Sequence, residues 1–99
     1  MLDFDRIVGF EWDQGNARKN EKRGVSQSAA EQVFFDAQLF VATDPNHSTA
    51  EPCYHALAST FDRRPLHVTF TLRDGMTRIR VISARDMHRK ERQIYERQS

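Results

Sequence analysis

The run from Leu66 to Ser83 constrains the fold most, because two β-rich segments flank the pair Asp74-Gly75. Asp-Gly suits a two-residue type I′ turn, in which both residues take positive φ. That turn sets Arg73 opposite Met76, Thr71 opposite Arg78, Thr69 opposite Arg80 and His67 opposite Ile82. Side chains alternate between faces along a strand. One face then collects Leu66, Val68, Phe70, Leu72, Ile79 and Val81; the other collects His67, Thr69, Thr71, Arg73, Arg78 and Arg80. Nothing forces the apolar sets of the two strands onto one side, so their agreement supports the register.

An apolar sheet face needs cover, and two early helices are the natural source. Residues 7–12 read as a first strand. Asp13 offers an N-cap and Gly24 a C′ position, which frames a polar helix over 14–23. Ser26 caps a second helix whose apolar side is Ala29, Ala30, Val33 and Phe34. Residues 39–43 read as a second strand, 44–49 as a loop and 53–60 as a third strand. After the hairpin, Ser83-Ala84-Arg85-Asp86 has capping-box spacing, which predicts a third helix from there towards Tyr95.

At 99 residues this is one domain, 1–99. The single cysteine, Cys53, excludes an internal disulfide framework, and a cytoplasmic location follows. No apolar run nears the roughly 20 residues of a membrane-spanning helix. Met1-Leu2-Asp3-Phe4-Asp5 lacks the basic and apolar parts of a signal peptide. Net charge is only +1, but residues 71–99 carry +4 and residues 1–70 carry −3. That asymmetry points to an anionic partner for the last third, or to a solvated charged surface.

Arginine presents a planar fork of donors that matches phosphate. The polar hairpin face is therefore either a phosphate-binding surface or an ordinary wet sheet face. Metal-free RNA cleavage needs a base for the 2′-hydroxyl, cations for the crowded phosphate and an acid for the leaving 5′-oxygen. His67, His47, His55, Lys22, Glu51 and Tyr95 have suitable side chains, and spacing singles out none of them. His47, Glu51, Cys53 and His55 crowd together without a paired zinc-ligand motif, so neither a metal nor a cofactor is expected. Ser48 has no nucleophile-elbow glycines, and no glycine-rich phosphate loop is present.

In order and spacing, several segments resemble the BrnT-type toxins, within the larger RelE/ParE-like superfamily. They are Phe10-Glu11-Trp12-Asp13, Asn20 to Ser26, Val33-Phe34, Asp36, Asp44, His47-Ser48, Glu51, Phe70 to Arg73, Arg78 to Arg85, Glu91-Arg92 and Tyr95. The resemblance implies a small α+β domain: a twisted antiparallel sheet, two N-terminal helices and one C-terminal helix. It implies a metal-independent ribonuclease that is toxic through loss of translation. It also implies a cognate ribbon-helix-helix antitoxin, joined in a hetero-oligomer that represses its own operon, with a toxin dimer as one arrangement inside it.

Carried over by position, Lys22 matches the lysine of a Lys-His-Gly motif and Glu51 the acidic residue after the central loop. Arg73, Arg80 and Arg85 match basic residues of the hairpin segment. Arg73, Arg80 and Arg85 are expected to grip phosphate. Lys22 and Glu51 are expected to move a proton or position a group, and an ion pair is the alternative role for Glu51. Arg23, His67, Arg78, Arg89 and Arg92 complete the expected RNA-binding set. The chain departs from the pattern at Arg23 in place of the histidine, Cys53 in place of an arginine and Ala58 in place of a glycine. Those departures favour two alternatives to an RNase: an inactive relative that only binds antitoxin, or a ParE-like inhibitor of a protein target.

Overall fold

The computed structural model describes residues 4–44 and 52–97. Strand β1 (Gly9–Trp12) leads through Asp13 into α1 (Gln14–Lys22). Helix α2 (Gln27–Gln32) runs on into a 3-10 turn over Val33–Phe35. Strands β2 (Phe40–Thr43), β3 (Cys53–Ser59), β4 (Pro65–Arg73) and β5 (Arg78–Asp86) follow, and α3 (Arg89–Glu96) closes the chain. No described helix is long and apolar enough to cross a membrane.

Local chemistry explains the helix ends. Asp13 Oδ1 accepts from the Gly15 N–H at 2.8 Å. At the far end of α1, Val25 N–H bonds Asn20 O and Gly24 N–H bonds Glu21 O, with Gly24 at φ +79°. This is a Schellman cap, and a left-handed residue there favours glycine. Ser26 caps α2 through the Ala29 N–H at 3.1 Å.

The strands form one sheet in the order β1-β5-β4-β3-β2. The sheet is mixed rather than antiparallel throughout, because β1 pairs with β5 in parallel. Strand β1 has no hairpin partner of its own, so it docks on the edge that β5 leaves open. Where β1 ends at Trp12, Asn20 of α1 takes over that edge and accepts the Ala84 N–H at 3.0 Å. The core fills one face: Val25, Ala30 and Val33 pack on Ala56, Ala58, Leu66, Val68, Phe70, Ile79, Val81 and Ala84. Phe70 lies among Phe34, Tyr54 and Phe4, with ring centroids at 5.0, 5.4 and 6.4 Å.

The hairpin keeps its predicted faces but not its predicted turn. Arg73 faces Arg78, Thr71 faces Arg80, and a four-residue loop joins the strands. Asp74, Gly75 and Met76 all have positive φ, and Thr77 ties the loop down through its N–H to Arg73 O and its hydroxyl to Asp74 O. The pairing is displaced by two residues, an even number, so every side chain stays on its face. Further along, Phe70 faces Val81 but Thr69 faces Ser83, which leaves Ile82 as the extra residue of a β-bulge. A bulge reverses the alternation beyond it. Ala84 therefore enters the core, and Arg85 joins the polar face opposite His67.

The third helix does not begin at Ser83. Strand β5 continues to Asp86, whose carboxylate is taken by Arg64 at 2.8 and 3.1 Å and so cannot close a cap at Ser83. The helix starts at Arg89, where the Glu91 carboxylate accepts the His88 N–H at 2.8 Å. Met87 and Tyr95 set α3 against Leu57 and Phe40, across the sheet from the main core.

Candidate phosphate-binding and proton-transfer site

The sheet face away from the main core gathers the polar and charged side chains of the hairpin. Pairing register puts Glu11, Arg80, Thr71 and Cys53 in one row across β1, β5, β4 and β3. Arg78 and Arg73 form the row on one side of it. Ser83, Thr69 and His55 form the next row on the other side, followed by Arg85, His67 and Leu57. Strands lie about 4.8 Å apart, so long side chains from three strands reach a common area.

Each of three arginines meets a carboxylate. Arg78 Nε lies 3.1 Å from Asp74 and Arg80 3.6 Å from Asp13. Arg85 grips Glu91 with two parallel bonds of 2.8 and 2.9 Å. Burial by itself would raise the Glu91 carboxyl, but the Arg85 bonds and the His88 N–H outweigh it and hold the pKa at about 2.

The two histidines sit side by side with ring centroids 5.0 Å apart. Their surroundings differ. His55 contacts Asp44 Oδ2 through Nε2 and Thr69 Oγ1 through Nδ1, each at 3.1 Å. Its side chain is about one-third exposed, at 32%, against 12% for His67. His67 Nδ1 is buried and makes no hydrogen bond among the described residues. Its Nε2 lies 3.8 Å from Glu91. Burial, helped by the Arg85 charge, pushes the His67 pKa down to about 4.

That depressed value makes an acid-sensitive fold. The unfolded chain takes up the His67 proton near pH 6.5, and the folded chain only near pH 4. Stability is therefore whole above pH 6.5 and falls as pH drops through that window, by about 2 kcal/mol after allowance for solvent screening. His67→Leu should flatten the decline between pH 6.5 and 4 in thermal melts. An undiminished decline in the variant would place its origin elsewhere.

The structure brings Arg73, Arg78, Arg80, Arg85 and His67 onto one face. Lys22 and Arg23 are exposed at the end of α1, and no hydrogen bond or ion pair among the described residues joins them to this face. Arg89 and Arg92 are exposed on α3. Arg92 lines a hollow with Arg63, Ser59 and Tyr95, beside the histidine row but facing the β3 end. Tyr95 is buried and donates its hydroxyl to Asp36. Burial and that bond hold its pKa above the usual range. Glu51 and His47 lie outside the described residues. Among the described residues, no three His, Cys, Asp or Glu side chains are arranged to hold a metal.

Asp44, as the partner of His55, and Glu91, as the partner of Arg85, are candidate site residues that the sequence did not single out. Their signal was three-dimensional: strand pairing creates the first contact, and the bulge followed by α3 creates the second.

Known proteins agree with this architecture. The crystal structure of the Brucella abortus ribonuclease toxin, BrnT, superposes with a TM-score of 0.60 at 18% identity, over 84% of this chain and all of that one. This likeness concerns the fold. No curated protein sequence matches. Residues 12–91 match the family model for the ribonuclease toxin, BrnT, of type II toxin–antitoxin systems. That match spans most of the chain, including both hairpin strands and the segment that bends into α3, and it places this protein in the BrnT ribonuclease toxin family.

Proposed function

We propose that the protein is an endoribonuclease that cuts RNA without a metal ion and thereby stops translation. The observation that carries this reading is the set Arg73, Arg78, Arg80 and Arg85 on one sheet face, beside two histidines and two threonine hydroxyls. Guanidinium groups in that array suit successive phosphates and the charge that builds on a phosphate under attack. Arg73, Arg80 and Arg85 grip the reacting phosphate, while Arg78 and His67 extend the contact. Arg23, Arg89 and Arg92 steer the rest of the RNA by charge. Lys22 and Glu51 carry over from the family pattern as positioning or proton-transfer groups.

The partner in this proposal is a ribbon-helix-helix antitoxin, which neutralises the toxin in a hetero-oligomer that can contain a toxin dimer. The setting is the cytoplasm, and the fold kinship is with RelE/ParE-like toxins. Arg23 in place of the family histidine favours a second reading, in which the chain binds its antitoxin but does not cut RNA. One assay separates the two. Purified protein with labelled RNA and excess chelator should yield fragments ending in 2′,3′-cyclic phosphate. Intact RNA in the presence of folded protein would sink the enzyme reading. Cleavage that chelator abolishes would sink metal independence alone.

A further inference from the structure

We infer that His55 is the residue that takes the proton in RNA cleavage, with Asp44 as its positioning residue. The inference rests on the ribonuclease reading and names the base that this reading leaves open.

Geometry selects His55. A neutral imidazole has one donor and one acceptor nitrogen. The Asp44 carboxylate can only accept, so it fixes the proton on Nε2. Nδ1 is thereby left with its lone pair, facing the Thr69 hydroxyl at 3.1 Å. A hydroxyl thus already occupies the place from which a substrate hydroxyl would deliver its proton. Thr69 can rotate aside or pass that proton along. Asp44 also favours the imidazolium that forms, as a carboxylate does behind the histidine of a catalytic triad.

Position points the same way. His55 pairs across β3 and β4 with Thr69, between the Thr71–Arg80 row and the His67–Arg85 row. A phosphate held by Arg80 or Arg85 therefore lies within a nucleotide's reach of Nδ1. The other candidates lack this combination. His67 is more enclosed, with a sealed Nδ1 and its Nε2 turned to Glu91. Tyr95 is committed to Asp36. Arg23 keeps its protons at any working pH and cannot act as a base. Asp44 after β2 and Thr69 on β4 hold the His55 ring, the His67 ring on β4 lies beside it, and Arg85 on β5 and Glu91 on α3 border His67 in turn.

The step balances without a co-reactant. His55 Nδ1 takes the 2′-hydroxyl proton, and the 2′-oxygen bonds to phosphorus. The P–O5′ bond breaks, its electron pair stays on the 5′-oxygen, and that oxygen takes a proton from water. The imidazolium returns its proton to the hydroxide so formed. The products are a 2′,3′-cyclic phosphate and a 5′-hydroxyl.

The test compares wild type, His55→Gln, His55→Gly and Asp44→Asn on one labelled RNA across a range of pH. Binding is measured with the 2′-O-methyl version of that RNA, and folding by circular dichroism. His55→Gln should lose about 100-fold or more in kcat, with little change in Kd, and the acid-side fall of kcat/KM should vanish. Asp44→Asn should lower kcat with little change in Kd, because an amide no longer holds the ring proton on Nε2. Added imidazole should restore part of the His55→Gly activity. A His55→Gln variant that cuts at close to the wild-type rate overturns the proposal and leaves the ribonuclease reading intact. So does a folded His55→Gly variant that imidazole cannot rescue. A folded, RNA-binding wild type that cuts nothing overturns both.

Discussion

Phe70→Ala should lower the stability of the domain by about 3–5 kcal/mol. Phe70 is fully buried in the central strand β4. Its ring meets Phe34 edge-on at 5.0 Å, stacks on Tyr54 at 5.4 Å and lies beside the tilted Phe4 ring at 6.4 Å. Truncation removes the largest fully buried side chain among the described residues and leaves a cavity bounded by a sheet and a helical layer, neither of which collapses easily. A domain of this size has about 5–15 kcal/mol in total. The melting temperature should therefore fall by at least about 12 °C. A drop of only a few degrees in a scanning melt would mean that the aromatic cluster is not the keystone of the core.

Arg80→Ala should do the reverse, leaving the fold intact and removing the activity. The Arg80 side chain is about one-third exposed, and its 3.6 Å pair with Asp13 contributes about 0–1 kcal/mol at most. Melting should shift by no more than a few degrees. Cleavage should fall by about 10²–10³-fold, the usual cost of deleting one preorganised group that stabilises transition-state charge. The loss should appear in kcat more than in KM, because that charge is greatest in the transition state. Arg80→Lys keeps the charge but not the planar fork and should recover only part of the rate. Activity near wild type in Arg80→Ala would remove this arginine from the reaction.

How far the sequence spoke depends on the range of each interaction. The hairpin faces were legible because period-2 patterning survives any even slip, and the loop error at Asp74-Gly75 was an even slip. The ends of α1 and α2 were legible because Asp13, Gly24 and Ser26 act within a few residues. The Ile82 bulge was not legible. It adds one residue against a partner strand, and Ser83 to Asp86 fits a capping box equally well until Arg64, over 20 residues earlier in the chain, claims Asp86. The parallel docking of β1 had no local signal either. At the site, the hairpin arginines could be listed from spacing. The contrast between His55 and His67 could not, because it arises from Asp44 on one side and Glu91 on the other.

For the proposed RNA-binding role, the carboxylates beside Arg78, Arg80 and Arg85 would have a consequence for selectivity. An incoming phosphate does not meet bare cations; it competes with anions that the chain itself supplies. A lone nucleotide must evict one resident for a single new contact, which is close to an even trade. A polymer evicts several residents after only one loss of translational freedom, so its advantage compounds with each phosphate seated. If this surface seats RNA as proposed, it would act as a threshold filter, nearly indifferent to the monomeric phosphates of a crowded solution and responsive to a strand.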